Sequence, residues 1–235
     1  MLFRSFTQKF ADILPADPAA ALIEIGEQQF AALADYPEAR AFWWPRFVRI
    51  ARWFAGFELE RRAGISKLHA EIGGRIDIAL AAHNFRLTAR ADRIERRKDG
   101  TYAILDYKTG RLPGHDEVKI GLAPQLTLEA AMLRHGGFPG IAAGASVAEI
   151  MYVGLKGGEP AGEPKLVKLK DSTPDIEADR AYEKLKQLVS RFADENQPYL
   201  PLVLPKWKAR YGDYDHLARV KEWSQNGGAD EAGGP

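Results

Sequence analysis

The chain has no cysteine, which excludes disulfides, cysteine-based zinc sites and any iron–sulfur cluster held by thiolates. No apolar run reaches membrane-spanning length, so no membrane partner is expected. The first ten residues, Met1 to Phe10, lack the apolar stretch and cleavage pattern of a secretory signal, and a cytoplasmic location is expected. The glycine patterns of dinucleotide folds and of P-loop NTPases are absent, so no nucleotide cofactor is expected in this chain. A dominant charge is also missing: 33 Lys and Arg against 32 Asp and Glu leave a formal net charge of +1. Binding to nucleic acid would therefore rest on local patches and not on the whole-molecule field. There are no internal repeats.

What is present is enough apolar residue, 46% of 235, to build one α/β core. Phe3, Phe6, Phe10 and Ile13 recur at helical spacing before Pro15 and Pro18 break the run. A second helix is expected over 19–33, and a third from about Pro37 to Arg62. In the third, Trp43, Phe47, Ile50, Phe54 and Phe57 form one aromatic stripe that packs on a sheet or on a partner. Arg46, Arg49 and Arg52 lie off that stripe. A first strand or hairpin punctuated by Gly73-Gly74 is expected over 68–80, and strands over 85–96, 101–108 and 148–155, with a short edge strand at 166–169. Pro113-Gly114 and the polar stretch after it read as a loop. A helix over 123–135 has Pro124 in its first turn and ends at Gly136-Gly137. Thr173-Pro174 opens another helix over about 175–194, with Leu185, Leu188 and Phe192 inward. An extended stretch over 198–205, a terminal helix within 207–223 and a Gly-rich disordered tail at 226–235 complete the reading. The order predicts an α/β sandwich with a mixed central sheet flanked by helices, plus extra N- and C-terminal helices. The domain boundaries expected are 1–65 for the N-terminal helical part, 66–156 for the core and 157–225 for the C-terminal extension.

The densest information lies in two neighbouring strands. One carries Asp92 within Leu87-Thr88-Ala89-Arg90-Ala91-Asp92-Arg93-Ile94. The other runs through Tyr102-Ala103-Ile104-Leu105 into Asp106-Tyr107-Lys108-Thr109-Gly110. Asp99-Gly100 between them is a hairpin signal. Strand alternation puts Asp106 and Lys108 on one face and Tyr107 on the other. Pairing would bring Asp92 to the same place. Two adjacent carboxylates repel unless a cation lies between them. Hard oxygen ligands suit Mg2+ or Mn2+, which polarise a phosphoryl oxygen and acidify bound water. A lysine beside them can orient that water and neutralise charge on a phosphate. Basic residues near the hairpin (Arg90, Arg93, Arg96, Arg97, Lys98, Arg111) and Lys206, Lys208 and Arg210 among aromatics are candidate DNA-binding groups, with a solvated face as the alternative.

These residues resemble the RecB-like branch of the PD-(D/E)xK nucleases, and within it the C-terminal nuclease domains of the AddB family of helicase–nuclease subunits. The resemblance rests on Arg90-Ala91-Asp92-Arg93-Ile94, on Asp106-Tyr107-Lys108-Thr109-Gly110, on Pro124-Gln125-Leu126 and on Tyr211-Gly212-Asp213-Tyr214-Asp215-His216-Leu217-Ala218-Arg219. It implies a restriction-endonuclease-like core. It also implies Asp92, Asp106 and the Tyr107 backbone carbonyl as metal ligands, Lys108 as the catalytic lysine, Gln125 at the site and Glu71 as a supporting acid. It implies Mg2+ or Mn2+ as cofactor, DNA as substrate, exonuclease chemistry in double-strand-break repair, and an AddA-like helicase partner. Two departures are visible. Glu129 stands where many relatives have an aromatic one turn after the glutamine. The metal-binding His of the family's first helix would fall just before Met1, so the chain reads as a fragment or a shortened variant. His69, His83, His115, His135 and His216 do not lie on that helix. An impaired module that binds DNA or a helicase partner, and a scaffold whose Asp and Lys residues form an ion-pair network, are the competing expectations.

Overall fold

Five strands form one mixed sheet in the order β1 (Ile65–Ala79), β2 (Asn84–Arg97), β3 (Tyr102–Lys108), β4 (Val147–Leu155), β5 (Gly162–Leu166). The computed structural model describes residues 2–80 and 84–198. The chain divides into two units, 1–190 and 191–235. In the second, the described residues finish the last helix and turn where the Gln197 N–H donates to Asp194 O at 3.0 Å. The expected elements over 198–205, 207–223 and 226–235, and with them Lys206, Lys208 and Arg210, lie outside the described residues apart from Pro198.

β1, β2 and β3 form an antiparallel meander, β3 and β4 run parallel, and β5 returns antiparallel to β4. The parallel step needs a crossover. It is made by α4 (His115–Ile120) and α5 (Gln125–Arg134) on one face of the sheet. The other face is covered by α1 (Leu2–Lys9), α2 (Pro18–Phe30) and α3 (Pro37–Arg62). α6 (Pro174–Phe192) follows β5.

The burial of each strand follows from this sandwich. β3 is covered on both faces, and from Tyr102 to Tyr107 every residue is buried. Its odd and even positions feed different cores. Tyr102 and Ile104 belong to the core with Leu126, Met132 and Tyr152 on the α5 side. Ala103, Leu105 and Tyr107 pack with Phe6, Phe47 and Phe54 on the α1–α3 side. Burying a side chain such as Phe54 contributes about 1.5–3 kcal/mol. β2 alternates between exposed and half-buried positions from Asn84 to Arg90, then is buried without a break from Ala91 to Glu95. Asp92 sits where the strand passes from a one-sided hairpin into the two-sided core.

Local chemistry explains the ends. Asp17 caps α2 by accepting the Ala20 N–H at 2.9 Å, and Pro18 follows at the first turn. The β2–β3 turn closes with Gly100 at φ +87°, a backbone region that favours glycine. Gly26 lets the Phe47 ring lie directly on the α2 backbone, where any Cβ would collide with it.

The structure corrects five expectations. The stretch after Pro113-Gly114 is the helix α4, not a loop: the Glu117 carboxylate accepts the Gly114 N–H at 2.6 Å, and Gly121 at φ +89° ends it. The edge strand is Gly162–Leu166 and not 166–169. Gly73-Gly74 lies inside β1 and does not interrupt it. The stripe of α3 is narrower than expected. Phe47, Ile50 and Phe54 are buried, but Trp43 is 52% exposed and packs edge-on to Phe42. Leu188 of α6 likewise faces outward.

Candidate active site

The β2–β3 ladder ends at the pair Arg93–Leu105. Beyond it the two strands fork, and Asp92 and Asp106 are the first residues on either side. Parting strands leave backbone groups without a ladder partner. Asp92 Oδ2 fills this role by accepting the Tyr107 N–H at 3.0 Å. Asp106 and Lys108 share a face, as alternation requires, and Lys108 Nζ lies 2.8 Å from Asp106 Oδ2. The Tyr107 ring points to the opposite face, where its hydroxyl receives a hydrogen bond from Arg93 Nη1 at 3.0 Å.

α5 brings Gln125 to the fork because its first turn lies over the end of β3. The Gln125 amide nitrogen donates to Asp106 Oδ1 at 2.7 Å, and its Oε1 accepts from Lys108 Nζ at 3.0 Å. Asp106, Lys108 and Gln125 therefore close a three-membered ring of polar contacts. One turn along α5, Glu129 is 3% exposed. Its Oε1 accepts from Gln125 Nε2 at 3.2 Å, and its Oε2 is buried without a hydrogen-bond partner.

On the other side α1 contributes Arg4. Its guanidinium lies 2.9 Å from Asp92 Oδ2 and 3.4 Å from Glu71 Oε1. Glu71, in β1, has a left-handed backbone at φ 54° and also pairs with the exposed Arg90 at 2.8 Å. The left-handed turn at this residue costs on the order of 1 kcal/mol. It falls at the strand position opposite Asp92.

The electrostatics follow from burial. Asp92 is pushed above its ordinary value mainly by desolvation and by the charges of Asp106 and Glu71, against the pull of the Tyr107 N–H and Arg4. Glu129 is pushed up to about 8 by desolvation first, with Asp106 and Asp92 adding and Gln125 and Lys108 opposing. In this conformation Arg4 and Lys108 supply the positive charge that faces the carboxylates.

Sequence reasoning placed Asp92, Asp106, Lys108, Gln125 and Glu71 near one another, and the structure brings all five to the fork. It contradicts a DNA-binding role for Arg93. That side chain is 0% exposed and lies on the α3 side of the sheet, paired with Glu58 and Glu95 and bonded to the Tyr107 hydroxyl. Desolvation opposes its charge, but Tyr107, Glu58 and Glu95 outweigh it and push the guanidinium above its ordinary value. Arg90 and Arg111 are exposed, and Arg111 forms a forked pair with Glu117 at 2.6 and 2.9 Å. Two residues at the site were not assigned there beforehand. Arg4 has no local signal beyond its place on a short helix. Glu129 is a charged residue in the middle of α5, four residues after Gln125, and that spacing alone sets both on one face.

The donor set fits a hydrated divalent cation such as Mg2+, which is held by one or two carboxylates and keeps several waters. The unpaired buried Glu129 Oε2 is the clearest sign of an unsatisfied anionic site. Among the described residues, no three carboxylate or imidazole groups stand close enough to enclose an ion as they are. The site offers carboxylate pairs and not a closed cage.

Comparison with known proteins bears on this geometry. The family model of the PD-(D/E)XK nuclease superfamily matches residues 3–204. An uncharacterized protein of Rickettsia typhi, RT0391, is 32% identical over 135 residues, which are 57% of this chain and 16% of that protein. An uncharacterized protein of Rickettsia bellii is 34% identical over 122 residues, 52% of this chain and 15% of that protein. The matched stretch thus spans under one fifth of these relatives. The crystal structure of SSO0001 covers 94% of this chain and 95% of its own at 12% identity, with a TM-score of 0.35.

Proposed function

We propose that this chain, which belongs to the PD-(D/E)XK nuclease superfamily, hydrolyses DNA phosphodiesters as the nuclease domain of an AddAB-type helicase–nuclease. The mixed five-stranded sheet between helix layers is the fold of that superfamily. The observation that carries the reading is the ring of Asp106, Lys108 and Gln125 beside Asp92 at the strand fork.

Asp92 and Asp106, with the Tyr107 backbone carbonyl, are the groups that would hold Mg2+ or Mn2+. When bound, such an ion polarises a phosphoryl oxygen and acidifies a water. The protein's own groups do the rest. The Tyr107 N–H fixes the Asp92 carboxylate. Gln125 holds Asp106 with its nitrogen and Lys108 with its oxygen, so the lysine and carboxylate keep a constant separation. The Lys108 ammonium, one-third exposed, can orient an attacking water and offset charge gathering on the phosphate. Arg90 and Arg111, exposed beside the site, are candidate phosphate contacts, and Lys206, Lys208 and Arg210 remain candidates from the sequence. Exonuclease action, a role in double-strand-break repair, an AddA-like partner and a cytoplasmic location belong to this proposal by resemblance. No described helix is long and apolar enough to cross a membrane.

One observation favours a second reading, a module that binds DNA or its partner but cuts weakly. Arg4 already occupies Asp92 and Glu71, where a cation would compete with it. End-labelled single-stranded DNA incubated with Mg2+ or Mn2+ separates the two. Cutting by the wild type that is lost in Lys108→Ala supports the nuclease. A folded wild type that binds DNA and leaves it intact supports the impaired module.

A further inference from the structure

The first half of α3 shows solvent a set of rings and cations that the fork does not use. Phe42 is 55% exposed and Trp43 52% exposed, edge-on to one another with ring centres 5.2 Å apart. The Arg46 guanidinium lies over both, 4.5 Å from the centre of Phe42 and 5.8 Å from that of Trp43. Phe42, Arg46, Arg49 and Trp53 recur at helical spacing and form one row along α3. Between Pro37 and Trp53 the helix carries four arginines and one acid, Glu38. Arg49 donates from Nε and Nη2 to the Gly157 carbonyl at 2.9 and 2.7 Å, a neutral partner that leaves its charge uncancelled. Among the described residues no carboxylate pairs with Arg46 or Arg52. An excess of cations beside exposed rings complements a polyanion that also carries flat apolar faces.

The position of the row matches that chemistry. β3 and β4 run parallel, and Lys108 is level with Gly154. Gly157, which Arg49 holds, follows three residues later, at most about 11 Å of chain. The second half of α3 reaches the other end of the sheet, where Arg61 pairs with Glu95 and Glu149. The rings and arginines therefore stand at the end where the fork opens, in the layer that also supplies Arg4. A ring stacks on a base of any sequence, and a guanidinium laid on a ring offers its plane to a base and its N–H edge to a phosphate. We propose that Phe42, Trp43 and Arg46, with Arg49 and Arg52 beside them, form a subsite for single-stranded DNA that holds the strand entering the fork. This deepens the nuclease reading and rests on it for the link to the fork; the binding itself requires no cutting.

Fluorescence anisotropy of labelled oligothymidylate with the full chain, in EDTA at low salt, tests this beside a base-free deoxyribose-phosphate oligomer of the same length. Phe42→Ala and Trp43→Ala should each weaken oligothymidylate binding about 10-fold and leave binding of the base-free oligomer unchanged. Arg46→Gln should weaken both. Trp43→Phe keeps a ring and should recover most of the affinity, and the ring variants should melt with the wild type because these side chains are exposed. Equal oligothymidylate affinity in the wild type and both ring variants overturns the subsite and leaves the nuclease reading to Lys108-dependent cutting. If the ring variants then also abolish concentration-dependent self-association, the patch is a protein contact. Equal loss on both oligomers overturns stacking as its basis. A wild type that binds no single-stranded DNA and cuts none overturns both the subsite and the nuclease reading.

Discussion

The carboxylate of Asp92 accepts the backbone N–H of Tyr107 at 3.0 Å, across the point where their strands separate. The bond does two things. It satisfies a donor that the ladder has abandoned, and it turns the Asp92 carboxylate toward Asp106. The same residue, Tyr107, anchors the opposite face through its ring and its hydroxyl. The site is therefore fixed by the core beneath it.

Lys108→Ala and Asp106→Asn should each abolish DNA cleavage, by on the order of 10²-fold or more. Both side chains lie at the strand ends, so melting temperature should change little. Cleavage time courses beside circular dichroism melts test this. Undiminished cutting by both variants would remove the fork as the catalytic centre.

Arg4→Gln should tighten Mn2+ binding, because it frees Asp92 and Glu71 from a competing guanidinium. Calorimetric titration with Mn2+ would show a several-fold lower dissociation constant. Weaker binding would mean that Arg4 holds Asp92 ready for the ion and does not compete with it.

Arg93→Ala should destabilise the protein by about 1–3 kcal/mol, since it leaves the buried Glu58 with Arg62 alone and the buried Glu95 with Arg61 alone. Urea unfolding measures this. Arg93→Met, which fills the space, removes the same shared partner of Glu58 and Glu95 and should also destabilise. If either variant folded as stably as the wild type but lost DNA affinity, Arg93 would be a DNA contact after all.

Stability in EDTA should fall as pH rises from about 5 to about 8. Glu129 is raised from 4.5 to about 8, so the folded state keeps a proton that the unfolded chain has released. Its contribution is full below the unfolded value and is lost as pH passes the folded one. Asp92, raised in the same direction, acts in the same sense. The total from Glu129 is at most about 5 kcal/mol. Melting temperatures across this range should slope downward in the wild type and less steeply in Glu129→Gln. Equal slopes would place the proton elsewhere.

Much of this arrangement could be read directly from the chain. Asp99-Gly100 specifies the hairpin, alternation along β3 puts Asp106 and Lys108 on one face, and Pro124 sets Gln125 in the first turn of α5. These are local rules, and neighbouring residues suffice to apply them. Arg93 shows where such rules stop. In the sequence it is one of several arginines around a hairpin. In the fold its face of β2 is covered by α3, where Glu58, 35 residues earlier, pairs with it. Arg4 and Glu71 are similarly joined to Asp92 only when α1 and β1 pack against the fork. Glu129 was legible as a departure, but its burial and its unpaired oxygen were not. The sequence by itself determined the elements and the facing of each strand residue, since backbone geometry and side-chain period are properties of a short segment. Tertiary structure alone decided which charges were buried, which were paired and which converged, because those depend on what a distant segment presents to the same small volume.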